Sequence, residues 1–149
     1  MISIILQAGG KSTRMGKDKA TQPFLGKPLL LRLRDRFQGI GSELLVITNN
    51  QAGYEELDIP IYKDLIPDRG ALGGLYTALS IASQPLVGLI AADMPFADPD
   101  LLTYQLETIK NQDWDAVLPS TSMGIEPFHA VYKVKTCLPL VKKAIDDDL

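Results

Sequence analysis

Cysteine and histidine are nearly absent from this chain of 149 residues, which contains only Cys137 and His129. A single cysteine can form neither an intramolecular disulfide nor a cluster of thiolate metal ligands. No Ser/His/Asp or Cys/His pairing is indicated either, because neither Ser12 nor Cys137 has a suitable partner by position. These absences argue against a disulfide-rich secreted fold and against covalent nucleophilic catalysis. Cys137 is expected to be a small buried hydrophobic residue.

Long hydrophobic runs are also missing. The N-terminal apolar run covers only residues 2–6 and has no basic segment before it, so it is typical of neither a signal peptide nor a membrane span. No later stretch approaches the run of about eighteen apolar residues that a transmembrane helix requires. The sequence therefore predicts a cytoplasmic protein without a membrane partner.

An excess of positive charge is the third absence. The formal net charge is −3 and the isoelectric point is near 5.1, whereas nucleic-acid binding calls for a basic face. The hydrophobic content of 46% and the charged content of 22% are ordinary for a globular protein. We found no internal repeat or linker, so residues 1–149 are expected to form one domain that does not bind nucleic acid.

Apolar strand patterns alternate with helical patterns along the whole chain. Strands are predicted at 2–6, 43–48, 59–62, 86–92, 116–119 and 128–132, and helices at 28–37, 52–57, 70–83, from 99 onwards and at 136–145. The strand at 86–92 is expected to be central because it is almost wholly apolar, and the strand at 59–62 peripheral because it contains Pro60. This alternation predicts an α/β fold, a Rossmann-like three-layer sandwich with a mostly parallel twisted sheet.

A loop rich in glycine and in cations follows the first predicted strand. Residues 7–19 read QAGGKSTRMGKDK, in which glycines allow close approach of the backbone to a ligand. Arg14 and Lys19 could neutralise phosphate oxygens there. The spacing fits neither the Walker loop nor the dinucleotide fingerprint. The pattern indicates a polyphosphate site, the alternative being a glycine-rich turn with solvated lysines.

Polar side chains follow three further predicted strands, at the sheet edge where α/β proteins bind ligands. Asp93 follows the most apolar strand, where a carboxylate is a poor core residue but a good Mg²⁺ ligand. Asp64 could accept hydrogen bonds from a guanine edge, or could be a loop residue or a partner of Arg69. Asn49 fits an ordinary turn equally well.

Two further features have a structural and a functional interpretation. The glycines at 70–74 are interpreted as a close contact between helix and sheet, or alternatively as a site where backbone approaches a ligand. His129 is interpreted as a hydrogen-bonded structural histidine, or alternatively as a residue that lines the cleft.

Taken together, these motifs resemble the MobA-like nucleotidyltransferases, and among them most closely the molybdenum cofactor guanylyltransferases. The signature loop of the family usually reads Leu-Ala-Gly-Gly, then Ser-x-Arg-Met-Gly and a lysine, and residues 7–19 follow it. Its later landmarks match in order at 26–29 (GKPL), 70–74 (GALGG) and 93–95 (DMP). The segment at 126–130 (EPFHA) looks like the family's strand beside the acceptor pocket.

The resemblance implies a role for each matching position. It implies Mg²⁺ at Asp93, guanine at Asp64, phosphates at Lys19, and charge stabilisation during the reaction by Arg14, Lys19 and Asp93. The nucleotide contacts that it implies are Gln7, Ala8, Gly9, Gly10, Lys19, Asn49, Asp64, Gly73 and Asp93. Gln7 departs from the usual leucine, which a backbone contact would tolerate.

The implied reaction is transfer of GMP from GTP to the phosphate of molybdenum-bearing molybdopterin, with release of pyrophosphate. Molybdoenzymes or cofactor-delivery proteins are the implied protein partners. The family's Asn-x-Asn-Thr-Pro segment has no counterpart in the sequence, so the chain is expected to lack the family's C-terminal segment. Three alternatives therefore stay open: cytidylyl transfer to molybdopterin, nucleotidyl transfer to a sugar phosphate, and a catalytically impaired GTP-binding module.

Overall fold

A six-stranded sheet forms the centre of the protein. The computed structural model describes residues 1–8, 23–24, 27–49, 58–94 and 97–148. The strands of the main sheet lie in the order β5-β4-β1-β6-β10-β7. Their bounds are Ile2–Gln7 (β1), Glu43–Ile47 (β4), Ile61–Tyr62 (β5), Leu86–Ala91 (β6), Ala116–Val117 (β7) and His129–Lys133 (β10). The two remaining pairs are short, β2 (Pro23–Phe24) with β3 (Lys27–Pro28) and β8 (Ser120–Thr121) with β9 (Gly124–Ile125).

Helices cover both faces of this sheet. The four described helices are α1 (Leu29–Phe37), α2 (Gly70–Ile81), α3 (Pro99–Gln112) and α4 (Val134–Asp146). One core cluster joins α1 and α3 to the side chains of Ile2, Ile4 and Leu6, and the other joins α2 and α4 to Ile5. Because alternate residues of a strand point to opposite faces, β1 contributes to both clusters. The three-layer α/β sandwich predicted from the sequence is therefore confirmed.

Strand direction follows the prediction with one exception. β1, β4, β5 and β6 are parallel, whereas β10 runs antiparallel to both β6 and β7. The position of β6 next to β1 confirms its predicted central place, and β5 lies at the sheet edge, as predicted from Pro60, which directly precedes it. The helix predicted at 52–57 lies outside the described residues.

Local signals fix several element ends. Asp98 caps α3, since its carboxylate accepts the backbone N–H of Asp100 at 2.9 Å, and Pro99 occupies the first turn. Gly39 has φ +84° just after α1, a conformation that glycine adopts without strain. Among the helices of the described residues, none is both long enough and apolar enough to cross a membrane.

The amino-terminal edge of the sheet is held by a hydrogen-bonded carboxylate. Glu43 accepts hydrogen bonds from the Ser3 hydroxyl and from both the backbone N–H and the hydroxyl of Ser83. Burial acts to raise the pKa of Glu43, but these hydrogen bonds favour the charged form and bring the pKa below its ordinary value. This carboxylate therefore joins β1, β4 and the turn between α2 and β6.

Candidate functional site

Strand register aligns the carboxyl ends of four parallel strands. Gln7 pairs with Ile47 on one side and with Ala91 on the other, and Ile47 pairs with Tyr62. Beyond this row, the backbone N–H of Ala8 donates to Ile47 at 2.7 Å, and that of Ala92 donates to Gln7 at 2.8 Å. The residues that follow these strands, Asn49, Asp64 and Asp93, therefore emerge along one edge, as the sequence predicts.

Asn49 and Asp64 contact each other directly. The Asn49 Nδ2 donates to Asp64 Oδ2 at 2.9 Å, and the backbone N–H of Asp64 donates to Asn49 Oδ1 at 3.0 Å. The other carboxylate oxygen, Oδ1, is buried and accepts no hydrogen bond from any residue that the structure describes. Because a buried acceptor without a partner costs free energy, this oxygen is suited to accept a donor from a ligand.

Arg69 is not the partner of Asp64. Its guanidinium instead forms an ion pair with Asp148 at 2.7 Å and also donates to the carbonyl of Ile145 at 3.3 Å. This contact joins the start of α2 to the end of α4. The alternative that Asp64 is paired with Arg69 is therefore wrong.

The first turns of α2 approach the sheet edge where glycine occupies the contact. A Cβ placed on Gly74 would lie 2.9 Å from Gln7 Nε2 and 3.0 Å from its Cδ. At Gly73 a Cβ would lie 2.8 Å from the Cβ of Arg69 and 3.1 Å from the carbonyl oxygen of Ile66, both in the segment before α2. The predicted close contact between helix and sheet therefore describes Gly74, which packs on Gln7 of β1, whereas Gly73 packs on the segment directly before α2.

Gln7 has its carboxamide against Gly74, and its Oε1 is a second buried oxygen without a hydrogen bond in the described part of the chain. The main chain on this side is largely committed to the sheet, since the Ala8 N–H donates to Ile47 and the Gln7 carbonyl accepts from Ala92. A ligand contact from Ala8 would therefore use its carbonyl oxygen.

Asp93 lies two residues after β6 and is exposed. Within the described residues, no hydrogen bond or ion pair engages its carboxylate, and no group of three or more His, Cys, Asp or Glu side chains could hold a metal ion together. A hard cation at Asp93 would therefore take most of its ligands from phosphate oxygens and water, which is the pattern that Mg²⁺ prefers.

His129 is buried and hydrogen-bonded, in agreement with its structural interpretation. Its Nε2 accepts the backbone N–H of Asp98 at 3.1 Å, so the neutral ring carries its proton on Nδ1. Burial lowers the pKa of His129, and this effect outweighs the opposing influence of Asp98 and Glu126. The contact joins β10 to the start of α3.

Four predicted site residues, Gly9, Gly10, Arg14 and Lys19, lie outside the described residues, and their roles remain predictions.

Cys137 differs from expectation, because it is half-buried and its Sγ donates to the Asp115 carbonyl at 3.3 Å. Burial is the main cause of its raised pKa.

Thr77 is a residue of the site that sequence reasoning missed. It is fully buried in α2, where its hydroxyl donates to the Gly73 carbonyl at 3.0 Å and accepts the Leu65 N–H at 2.9 Å. A threonine within a helical pattern carries no signal of such a contact. Only its position four residues after Gly73 could have directed attention to it.

The chain is similar in sequence to proteins that carry a functional description. The chain is 34% identical over 149 residues to a probable molybdenum cofactor guanylyltransferase of Natronomonas pharaonis, covering 95% of this chain and 73% of that protein. It is 32% identical over 142 residues to a protein of the same description from Carboxydothermus hydrogenoformans, covering 95% and 70%.

Solved structures share the fold. The crystal structure of molybdopterin-guanine dinucleotide biosynthesis protein A from Archaeoglobus fulgidus superposes with a TM-score of 0.82 at 21% identity, covering 99% of this chain and 74% of that one. The protein Aq1419 from Aquifex aeolicus gives 0.78 at 24% identity, covering 97% and 76%. Residues 4–148 match the family described as the MobA-like NTP transferase domain. With its fold, its relatives and this match in agreement, this chain belongs to the MobA-like NTP transferase domain family.

Proposed function

We propose that this protein is a molybdenum cofactor guanylyltransferase, which transfers GMP from GTP to the phosphate of molybdenum-bearing molybdopterin. Two relatives with 34% and 32% identity are described as probable molybdenum cofactor guanylyltransferases, and the chain covers 73% and 70% of their lengths. The single structural observation that supports guanine is the buried Oδ1 of Asp64, which lacks a donor in the described residues although the rest of its side chain is held by Asn49.

Asp64 suits guanine better than cytosine. Guanine presents two adjacent donors, N1–H and the 2-amino group, and a carboxylate only accepts. The corresponding edge of cytosine has one donor next to ring and carbonyl acceptors, which would face the carboxylate unfavourably. Gln7, Ala8, Gly73 and Asn49 lie around this position at the same edge and would border the bound nucleoside.

The phosphates would lie towards the loop after β1. In this proposal the main chain at Gly9 and Gly10 approaches the phosphates, and Lys19 binds their oxygens. Arg14 and Lys19 stabilise the negative charge that develops on the leaving pyrophosphate.

Mg²⁺ fits Asp93 because the carboxylate is exposed, is a hard oxygen ligand, and has no other partner among the residues described. When bound, the ion would supply charge neutralisation to the phosphate groups. Asp93 itself would hold the ion at the end of β6, beside the strand that leads into the phosphate loop.

The transfer reaction then depends on how the two substrates are positioned, and it needs no nucleophile from the protein. An oxygen of the molybdopterin phosphate attacks the α-phosphorus of GTP, a new P–O–P bond forms, and the bond to the β-phosphate breaks to release pyrophosphate. The site residues hold the two substrates in line and neutralise charge, which together can account for a large part of a rate enhancement. We propose that molybdoenzymes or cofactor-delivery proteins receive the product.

Pyrophosphate release with each of the four NTPs, with and without molybdenum-bearing molybdopterin, tests this proposal. Release that requires both GTP and the molybdopterin is the expected result. Release with CTP and molybdopterin would instead support the cytidylyltransferase alternative. Release in a parallel assay in which a sugar phosphate replaces molybdopterin would support nucleotidyl transfer to a sugar phosphate. GTP binding without any release would indicate the catalytically impaired module.

A further inference from the structure

We propose that Thr77 is a positioning residue that sets guanine specificity by fixing the main chain on the far side of Asp64. This inference rests on the proposed function, because it assigns to Asp64 the recognition of guanine. Thr77 itself is buried within α2 and does not need to contact the nucleotide.

The backbone is held on both sides of the Asp64 Cα. The N–H of Asp64 itself donates to Asn49 Oδ1 at 3.0 Å, and the next N–H, that of Leu65, donates to Thr77 Oγ1 at 2.9 Å. The Thr77 hydroxyl is in turn oriented by the Gly73 carbonyl at 3.0 Å. Two segments, the residues directly after β4 and the helix α2, therefore define the direction of one aspartate.

Apolar packing contributes little to holding this loop. Leu65 is 53% exposed, and Lys63, Pro67 and Asp68 are exposed as well. A segment that buries so little apolar surface depends on its hydrogen bonds for a defined conformation. The hydroxyl of Thr77 is therefore a principal determinant of where the Asp64 carboxylate points.

The orientation of the Asp64 carboxylate leaves one of its oxygens free to accept a hydrogen bond from a ligand. Asn49 Nδ2 donates to Asp64 Oδ2, and Oδ1 is buried without a donor from the described residues. A shift of the backbone at Leu65 would rotate Oδ1 away from the donors of a bound guanine. Hydrogen bonds to charged groups depend on such geometry, so discrimination between bases would weaken before folding is lost.

The same arrangement gives Asn49 a different role from the one implied by the family resemblance. Its side-chain oxygen and one of its two amide hydrogens are engaged by Asp64. Asn49 therefore acts on the nucleotide mainly through Asp64, in parallel with Thr77.

The test compares the affinities of the full chain for GTP and for ITP, which lacks the 2-amino donor. The wild type should prefer GTP by about tenfold or more, as expected for a hydrogen bond to a charged group. Thr77→Val, which keeps the shape and removes the hydroxyl, should lower that ratio by about threefold or more. Thr77→Ser should restore the ratio, because its hydroxyl can make both contacts.

Ser80→Ala is the matched control, since the Ser80 hydroxyl makes the same type of bond to the backbone four residues earlier, to Tyr76 at 2.8 Å, but lies on the exposed side of α2. It should leave the ratio unchanged. In an Asp64→Ala background, Thr77→Val should cause no further change in the ratio, because the two residues act in series. Thr77→Ala replaces the valine variant if the latter does not fold.

A folded Thr77→Val protein with the wild-type GTP/ITP ratio, alongside an Asp64→Ala protein that has lost it, would overturn the role of Thr77 and leave the proposed function intact. Equal affinity of the wild type for GTP, ITP and CTP would overturn the proposed guanine specificity itself, and this inference with it.

Discussion

At the scale of single residues, His129 makes the stability of the protein depend on pH. The ring is 5% exposed, and its Nε2 accepts the Asp98 N–H, so protonation would place two donors against each other. Burial is the main cause of a pKa below the ordinary value of 6.5. In the window from pH 6.5 down to the folded-state pKa, the unfolded chain binds more protons than the folded chain.

The free energy of unfolding is therefore expected to fall as the pH drops through this window, and the contribution of His129 to be fully present above it. Denaturant titrations across that range measure the effect. His129→Gln retains an acceptor but does not titrate, so the difference between wild type and variant should change with pH. A constant difference between the two across the window would contradict the prediction.

Asp93 is the residue whose replacement should separate activity from stability. Asp93→Asn is expected to reduce turnover by about two orders of magnitude or more, as removal of one electrostatic stabiliser can. Because Asp93 is exposed, the free energy of unfolding should change by less than about 0.5 kcal/mol. Initial rates of pyrophosphate release with a Mg²⁺ titration measure this, with Asp100→Asn, a nearby exposed aspartate, as control. If Asp93→Asn turned over as fast as Asp100→Asn and the wild type, Asp93 would have no role in the mechanism.

At the scale of elements, α4 contains a local conflict. Pro139 lies inside Val134–Asp146 and cannot donate a backbone hydrogen bond to the preceding turn. Because its side chain is exposed, Pro139→Ala removes little packing. The substitution should raise the free energy of unfolding by about 1–3 kcal/mol. The upper value is the full difference between proline and alanine in a helix interior. Urea denaturation measures the change, and Ser80→Ala, at an exposed position of α2, should change stability by less than about 0.5 kcal/mol.

Elements were predictable where the signal is local. The cap formed by Asp98 and Pro99, the end of α1 near Gly39 and the apolar strand β6 each follow from neighbouring residues. The direction of β10 was not predictable in this way, because an apolar strand pattern is the same whichever way the strand runs. The short pair β8 and β9 was missed as well, since its strands are exposed and only two residues long.

In the candidate site, too, the features set by local sequence were predictable and the contacts between distant residues were not. Asp64 and Asp93 were identified because each follows a strand in the sequence. The contacts of Asp64 with Asn49 and of Leu65 with Thr77 join residues 15 and 12 positions apart, and the position of Gln7 against Gly74 joins two different elements. Such contacts depend on how a helix docks on the sheet, which no local pattern specifies.

At the scale of the whole molecule, ligand binding should be visible as a change in thermal stability. A ligand that binds only the folded state raises the free energy of unfolding by about 2.7 kcal/mol at a concentration one hundred times its Kd. We therefore expect GTP with Mg²⁺ to raise the Tm, and CTP at the same concentration to raise it less. Differential scanning fluorimetry measures both, with ATP as a second control. A larger shift with CTP than with GTP would contradict the guanine assignment.

The reversed direction of β10 has a consequence for how such a protein can diversify. Because β7 ends and β10 begins at the edge where β6 ends, residues 118–128 all lie on that side of the sheet, including the exposed Met123 and Ile125 of the β8–β9 pair. Insertions or sequence changes in this stretch would reshape one border of the site without disturbing the core or the Asn49–Asp64 pair. The family resemblance implies that the acceptor lies beside residues 126–130, so changes in this stretch would alter the choice of acceptor at little cost in stability.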